Sequence, residues 1–274
     1  MARVTLLSPP WRLVTATLVA LSWLTLPTYV LAIVLLPPVP PLVMVRSFAV
    51  GTALPALVAW AIARAFTGSA GVRDGMLRLE RSDLAIEVSC AAIAAVRPWW
   101  IPLPRPGLGF ALRSDGRVPL GIALDDPGPL LAALADGGMD TNPARRHPSM
   151  VYAATRRARR WYAPLVKFVV LGMLPASVLF YTHQHIAYGG TFGQYYLESL
   201  GAWLATLLAY WATTVVLLVS YASIWRAAAE VVVWAAAAIA PSHAQATRRI
   251  AGAVCAIGYY GGVPFLLALR YLAE

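Results

Sequence analysis

The chain has 274 residues and a formal net charge of +10, and 59% of its residues are hydrophobic while only 12% are charged. A soluble domain usually carries about 25% charged residues, so this composition excludes an ordinary protein that water surrounds on all sides. Lipid is the solvent that suits the excess apolar surface. The two cysteines, Cys90 and Cys255, have no neighbours at the spacing of a zinc site and indicate no disulfide framework.

The chain begins with two predicted transmembrane helices, which form a first domain over residues 1–66. Residues 13–36 contain no charged side chain, and at about 1.5 Å per residue they are long enough to cross a hydrocarbon core of about 30 Å. This apolar run is also too long for the core of a cleavable signal peptide. A tight turn at 37–41 leads into the second predicted span at 42–66.

Residues 67–148 have the charge density and the alternating pattern of a small α+β domain, and we predict a second domain there. The sequence Ser-Asp-Gly within 107–117 is typical of a hairpin turn, and 118–124 is expected to pair back. An acidic start precedes a short predicted helix, as the helix dipole favours. The remaining predicted strands are 76–81, 84–89 and 94–99, and the predicted helix is 130–136.

Four stretches of this insert resemble the bacterial PH-like domains that lie next to paired transmembrane helices. They are GMLRLE at 75–80, AAIAAVRPW at 91–99, the GLGF…DGR hairpin at 107–117 and DDPGPLLAAL at 125–134. The resemblance implies a small, partly open barrel that a helix caps, and a domain that binds rather than catalyses. An unrelated small α+β insert is the alternative interpretation.

The third predicted domain, residues 149–274, contains a basic segment followed by three further apolar spans. Residues 222–240 allow two interpretations, because no Gly or Pro interrupts the preceding helix. The helix either projects from the membrane and packs against the insert, or it bends near Ser220 and lies along the interface. The three spans are 164–182, 196–221 and 250–272.

The distribution of basic residues predicts the orientation. The loops at 37–41 and 183–195 contain no Lys or Arg, whereas the N-terminal tail contains Arg3 and Arg12 and the insert contains many arginines. The positive-inside rule therefore places the N-terminus and residues 67–161 in the cytoplasm, at a bacterial inner membrane. The predicted fold is mainly α: a polytopic helical membrane protein with about five transmembrane helices and a small β-rich cytoplasmic insert.

A cluster of arginines precedes the third span and predicts a lipid-binding segment. Basic residues beside a membrane attract anionic head groups, although they also simply fix topology. Nucleic acid is not an expected partner, because the membrane already accounts for the positive charge. The arginines of the cluster are Arg145, Arg146, Arg156, Arg157, Arg159 and Arg160.

The loop predicted at 183–195 offers a candidate metal site. His183 and His185 form a His-x-His sequence, and Glu198 follows as a nearby carboxylate. Imidazole and carboxylate groups are common ligands of divalent transition metals. The alternative is that polar and aromatic residues cap the membrane edge in this loop.

The fifth predicted span contains Gly258 and Gly262, four residues apart. Small residues at this spacing let membrane helices approach closely, so they predict helix packing within the chain or with another membrane subunit.

These features favour a non-enzymatic accessory or scaffold subunit of a larger membrane complex. Its insert would bind a protein partner or lipid. A transporter or channel for a small or lipidic substrate, with a path near Arg46 and Glu198, is a second hypothesis. A metal-dependent membrane redox protein that uses the outer His-x-His loop is a third. The sequence does not identify a cofactor, and it contains no recognisable catalytic motif.

Overall fold

The computed structural model describes residues 2–35, 40–114, 116–156 and 162–272, and the chain divides into two compact units. The first unit contains Met1–Ala20, Pro55–Arg157 and Ala227–Glu274, and the second contains Leu21–Leu54 and Ala158–Arg226. This division differs from the three consecutive domains predicted above, because segments far apart in the sequence build the first unit together.

The first unit contains one antiparallel sheet of seven strands in the order β4-β3-β2-β1-β7-β6-β5. The strands predicted at 76–81 and 84–89, and the pairing of 107–117 with 118–124, are confirmed. The strands are β1 Ala2–Leu7, β2 Thr67–Arg73, β3 Met76–Arg81, β4 Leu84–Ser89, β5 Ile93–Pro98, β6 Gly107–Leu112 and β7 Gly121–Ala123.

Two strands were missed from the sequence. β1 lies at the centre of the sheet, paired with β2 on one side and β7 on the other. Its four consecutive buried residues, Val4 to Leu7, merge in the sequence with the following apolar helix and hide the strand. β2 has the sequence TGSAGVR, which lacks the alternation of apolar and polar residues that marks a strand.

The sheet must curl, because its two edge strands are neighbours in the chain. Only a short 3₁₀ turn, Cys90–Ala92, connects β4 to β5, so the ends of these two strands lie at most about 14 Å apart. A flat sheet of seven strands would separate those edges by about 29 Å. The curled sheet and the helix that packs on it agree with the barrel shape that the resemblance implies, while membership of the PH-like family stays a prediction.

The interior of the curled sheet is apolar. Five of its side chains, which come from the four strands β1, β3, β6 and β7, are each 0% exposed: Leu6, Leu77, Leu79, Leu108 and Ile122. The predicted helix at 130–136 is confirmed as part of Gly128–Asp136, which adds Leu130, Leu131 and Leu134 to the same core. We call the seven strands and this helix the β domain.

Helices make up most of the chain, so the predicted mainly α class with a β part is confirmed. A π-helical stretch at Leu165–Val170 precedes α7, and a second one at Ala49–Ala53 joins α2 to α3. The helices are α1 Pro9–Leu35, α2 Pro41–Phe48, α3 Leu54–Ala65, α4 Gly128–Asp136, α5 Asn142–Arg146, α6 Pro148–Ala154, α7 Met173–Tyr188, α8 Gly193–Leu197, α9 Leu200–Ile239 and α10 Ala244–Leu272.

Four helices of the described part of the chain are long and apolar enough to cross a membrane. They coincide with the first four predicted spans. The fifth predicted span, 250–272, forms most of α10, but several of its side chains lie outside the described residues, so that span stays a prediction. The four helical stretches are Pro9–Leu31, Pro41–Ala65, Leu165–Tyr188 and Leu200–Ile239.

α9 continues through residues 222–239 as a single helix of 40 residues, about 60 Å long. It does not end or change to another helix type near Ser220. In the first unit its last turns bury Val233 and Ala237 against Tyr152 of α6 and Ala244 of α10. Trp234 of α9 also meets Trp100 of the insert, with the ring centres 6.1 Å apart, as the first of the two alternatives predicts. Projection of this helix from the membrane stays a prediction.

The π-helical stretch at Ala49–Ala53 has a local cause. Pro55 has no N–H group, and its ring would clash with the carbonyl of Gly51, four residues earlier. The wider turn relieves this clash and frees carbonyl oxygens for other donors. The hydroxyl of Thr25 donates to the Gly51 carbonyl at 3.3 Å, and that of Ser22 donates to the Thr52 carbonyl at 3.0 Å.

Candidate functional site

A groove of about 700 Å³ lies in the first unit, between the first turns of α1 and the strands β5, β6 and β7. Its charged residues are all arginines, and no described residue that lines it is acidic. The rest of the lining is aromatic or aliphatic. The arginines are Arg12, Arg97 and Arg117, and the aromatic residues are Trp99, Trp100 and Phe110.

Trp99 forms the floor of the groove, and its ring packs directly on the backbone of two glycines. Leu108 and Ile122 point into the core, so their neighbours Gly107 and Gly121 face the outer side of the sheet. A Cβ atom at Gly107 would lie 2.5 Å from the indole ring, and one at Gly121 would lie 2.6 Å from it. Only glycine therefore lets the ring lie flat across the two strands, where Trp99 is 6% exposed.

Arg12 covers the other face of this ring. Its guanidinium carbon lies 4.0 Å from the centre of the Trp99 indole, which is the geometry of a cation–π contact. The contact joins the start of α1 to the end of β5. It also holds the guanidinium group in place beside the groove.

Arg97 and Arg117 flank β6 on the same face of the sheet. Arg97 pairs with Gly109, and Arg117 forms a bridge with Ala111, two residues along the same strand. Residues directly opposite each other, and residues two apart on one strand, share a face. Both arginines are exposed, and Gly109 has no side chain to separate them.

The α1 side of the groove is apolar and has little bulk. Four residues of α1 line the groove, and their spacing places them on one face of the helix: Leu13, Ala16, Thr17 and Ala20. Beyond Trp99, the side chains of Trp100 and Ile101 are 60% and 57% exposed. The groove therefore combines fixed positive charge with a continuous apolar surface.

A buried polar cluster joins α6, α9 and α10 within the first unit. The Tyr152 hydroxyl donates to Glu230 Oε2 at 2.6 Å, and Arg248 Nη1 donates to the same oxygen at 2.8 Å. Arg248 Nε also donates to Thr155 Oγ1 at 3.3 Å. Burial, together with the hydrogen bond to Glu230, raises the pKa of Tyr152, so the phenol stays protonated and keeps donating.

His147 connects α6 to the groove. Its Nδ1 atom accepts from the backbone N–H of Ser149 at 3.3 Å and so caps the start of α6. Its ring meets Trp100 edge-on, with the ring centres 5.4 Å apart. Burial lowers the pKa of His147, which keeps the imidazole neutral and able to accept.

The arginine cluster predicted to bind lipid lies elsewhere on the first unit. Arg145 and Arg146 end α5, and Arg156 follows α6; all three are exposed and none lines the groove. The other three, Arg157, Arg159 and Arg160, lie outside the described residues. Lipid binding by this cluster stays a prediction.

The candidate metal ligands lie on two helices: His183 and His185 on α7, and Glu198 at the end of α8. Metal binding by these three residues stays a prediction. α7 continues to Tyr188 and ends at Gly189, which has a φ of 72°, so His183 and His185 lie on a helix and not in the predicted loop. The predicted loop boundary was wrong because the apolar run ends before the helix does. Within the described ranges, no group of three His, Cys, Asp or Glu side chains has the spacing of a metal site.

Glu198 belongs instead to a polar cluster of the second unit. Its carboxylate accepts from the Tyr188 hydroxyl at 3.0 Å and from Gln194 Nε2 at 3.0 Å. Gln184, which is 0% exposed, donates to Gln194 Oε1 at 2.8 Å. Gln184 was missed because a single polar residue in an apolar helix gives no indication of its partner.

Gly258 and Gly262 both lie on α10 and are half-buried. Their proposed role in close helix packing stays a prediction.

The chain matches no family model, no curated protein and no solved structure. The groove therefore stands as the candidate site on its geometry alone. Sequence reasoning missed it because Arg12, Arg97 and Arg117 are distant in the chain. The glycines at alternate outward positions of β6 and the Trp-Trp pair at 99–100 were the available signals.

Replacing Gly107 with Ala is expected to displace Trp99. The added Cβ would overlap the indole ring, and an overpacked site of this kind costs about 1 to 3 kcal/mol in the free energy of unfolding. Thermal unfolding of the purified protein in detergent measures the loss. Gly109→Ala is the matched control, because its Cβ would meet only the Arg97 carbonyl at 3.7 Å. Equal stability of both variants would contradict the requirement for glycine at position 107 beneath the Trp99 ring.

Acidification is expected to weaken the start of α6 through His147. The pKa of this histidine is lowered in the folded protein, so its contribution to stability is complete above the ordinary pKa of 6.5 and is lost as pH falls towards the folded value. His147→Asn keeps a capping side chain that does not titrate. The unfolding temperature of the native protein should therefore fall more than that of the variant between about pH 8 and pH 5. Parallel curves would contradict this prediction.

Proposed function

We propose that this chain is an integral protein of a bacterial inner membrane and that it works as a non-enzymatic accessory or scaffold subunit. Its N-terminus and β domain lie in the cytoplasm. The β domain binds anionic membrane lipid, and the apolar helices pack with other membrane subunits. The observation that carries this proposal is the groove, in which three arginines and an apolar lining meet at the start of the first apolar helix.

The path of the chain supports the membrane part of the proposal. The two segments that leave the first unit, Leu21–Leu54 and Ala158–Arg226, each include parts of two long apolar helices before the chain returns. Two crossings bring a chain back to the side from which it started. β1 and β2 pair directly although two such helices separate them in the sequence, and this pairing is consistent with two crossings.

The chemistry of the groove supports binding rather than catalysis. Arginine keeps its proton in proteins, so Arg12, Arg97 and Arg117 provide permanent charge and hydrogen-bond donors and do not transfer protons. Basic groups near a membrane surface attract anionic lipid. Exposed tryptophan such as Trp100 suits the boundary between head groups and acyl chains.

Site-specific labelling tests the orientation. In a variant without Cys90 and Cys255, a new cysteine at Tyr196, which is 79% exposed, should react with a membrane-impermeant maleimide added to intact cells. A cysteine at Ser82, in the turn between β3 and β4, should react only after lysis. The reverse pattern would overturn the proposed topology.

Co-purification tests the subunit role. The chain is extracted from native membranes in a mild detergent, and the complex is weighed by mass spectrometry. A second membrane protein in fixed ratio is the expected result. A chain that is recovered alone, with no protein bound, would overturn the subunit role and leave the topology to the labelling experiment.

A further inference from the structure

The groove beside α1 presents two kinds of surface to one ligand. Arg12, Arg97 and Arg117 supply positive charge, and no described lining residue supplies a negative one. Leu13, Ala16 and Ala20 of α1 supply apolar surface that continues along the helix. A ligand that satisfies both carries an anionic head and a hydrocarbon tail on the same molecule.

We infer that this groove binds a single molecule of an anionic glycerophospholipid. The phosphate lies against the arginines, and one acyl chain lies along the small-residue face of α1. The inference rests on the proposed function, because the ligand reaches the groove only if the β domain lies at the membrane surface. It adds a defined site and a ligand class to the general attraction between basic residues and anionic membranes.

The groove is built for a ligand rather than being a chance gap between side chains. Arg12 is held against Trp99, and Trp99 lies flat because Gly107 and Gly121 leave room for it. Donors that are already held in place cost less to order when a ligand binds. The volume of about 700 Å³ falls within the usual range for small-molecule sites.

The apolar part distinguishes a lipid from a free anion. The arginines alone would be enough to bind an inorganic or sugar phosphate. Such a ligand would not cover the apolar side chains of Trp100 and Ile101, which are 60% and 57% exposed to solvent. A lipid covers this surface with hydrocarbon. Ala16 and Ala20 are small, so they leave space along α1 for a chain that a bulkier residue would fill.

The test is a lipid titration of the full-length protein in detergent, followed by native mass spectrometry. One phosphatidylglycerol molecule should remain bound in preference to phosphatidylcholine. Arg97→Gln and Arg117→Gln should each weaken this first binding step about fivefold, as expected for a basic residue near an anionic head group. Arg113→Gln is the matched control, since Arg113 is exposed, does not line the groove and is not part of the arginine cluster at 145–160.

A second pair of variants tests the acyl-chain part. Ala16→Phe fills the apolar surface and should weaken phosphatidylglycerol binding without a change of charge. Val14→Phe is its control, because Val14 is 43% exposed on the same helix and does not line the groove. Thermal unfolding of all variants identifies any that fail to fold, and Arg97→Gln and Arg117→Gln change exposed side chains only.

Three results would overturn the inference. Equal losses for the groove variants and the controls would show general surface attraction. Unchanged binding in Ala16→Phe would remove the acyl chain from the groove. Displacement of phosphatidylglycerol by an equal concentration of glycerol 3-phosphate would show a site for soluble phosphate. The labelling experiment is independent of all three, so a cytoplasmic β domain with no selective lipid binding would remove this inference and keep the proposed topology.

Discussion

Replacing Leu6 with Ala is expected to lower the free energy of unfolding of the first unit by about 2 to 5 kcal/mol, which is the usual cost of truncating a buried leucine. Leu6 is 0% exposed, and its strand lies between β2 and β7 at the centre of the sheet. The loss should appear as a lower unfolding temperature in detergent. Arg3→Ala on the same strand is the control, because Arg3 is exposed and its replacement should change stability by no more than about 0.5 kcal/mol.

The central position of β1 also predicts which fragments of the chain can fold. Residues 67–156 alone should not fold, because the sheet would be split where β1 is missing. Thr5 pairs with Thr67, so β1 ends where β2 begins. In this register residue 7 lies opposite residue 65, so joining these two through an Asn-Gly turn should restore the sheet without α1 to α3. Circular dichroism compares the two fragments, and a folded 67–156 fragment would contradict the central role of β1.

Replacing Glu230 with Ala is expected to cost about 3 to 5 kcal/mol in the free energy of unfolding. The side chains of Glu230 and Arg248 are only 17% and 20% exposed, and removing one partner leaves the other charge buried without compensation. The Tyr152 hydroxyl would lose its acceptor as well. Thermal unfolding in detergent measures the effect, which should be among the largest of any single substitution in the first unit.

A control pair and a double variant test this prediction. Glu87 also pairs with an arginine, Arg78, at 3.1 Å, but its side chain is 52% exposed, so Glu87→Ala should cost at most about 1 kcal/mol. Replacing Glu230 with Leu and Arg248 with Met together should recover most of the loss, because neither member of this ion pair then carries a charge. A double variant as unstable as Glu230→Ala would show that the cost does not come from the unpaired charge.

The cluster also explains how the end of a long helix is held. α9 is uniformly apolar along much of its length, so its packing is not specified by a single polar face. Glu230 adds a directional contact to both α6 and α10. This contact selects one rotation and one register of the last turns of α9 against the rest of the first unit.

Local patterns in the sequence were sufficient for much of the fold. The four long apolar helices were found because an uninterrupted apolar run is visible without knowledge of neighbours. β3 and β4 alternate cleanly, and the helix at Gly128–Asp136 follows an acidic start. Each of these signals lies within a few residues, so a single stretch of chain is enough to recognise it.

By itself, the sequence determined that most of this chain is helical and apolar and that a small β-rich segment interrupts the helices. Tertiary structure alone decided that β1 completes the sheet, that Arg12 meets Trp99, and that Glu230 meets Arg248. The physical reason is that hydrophobic period and turn chemistry act between neighbours in the chain. Which strands pair, and which charges meet on separate helices, depends instead on how distant segments align in space. A local sequence pattern does not specify that alignment.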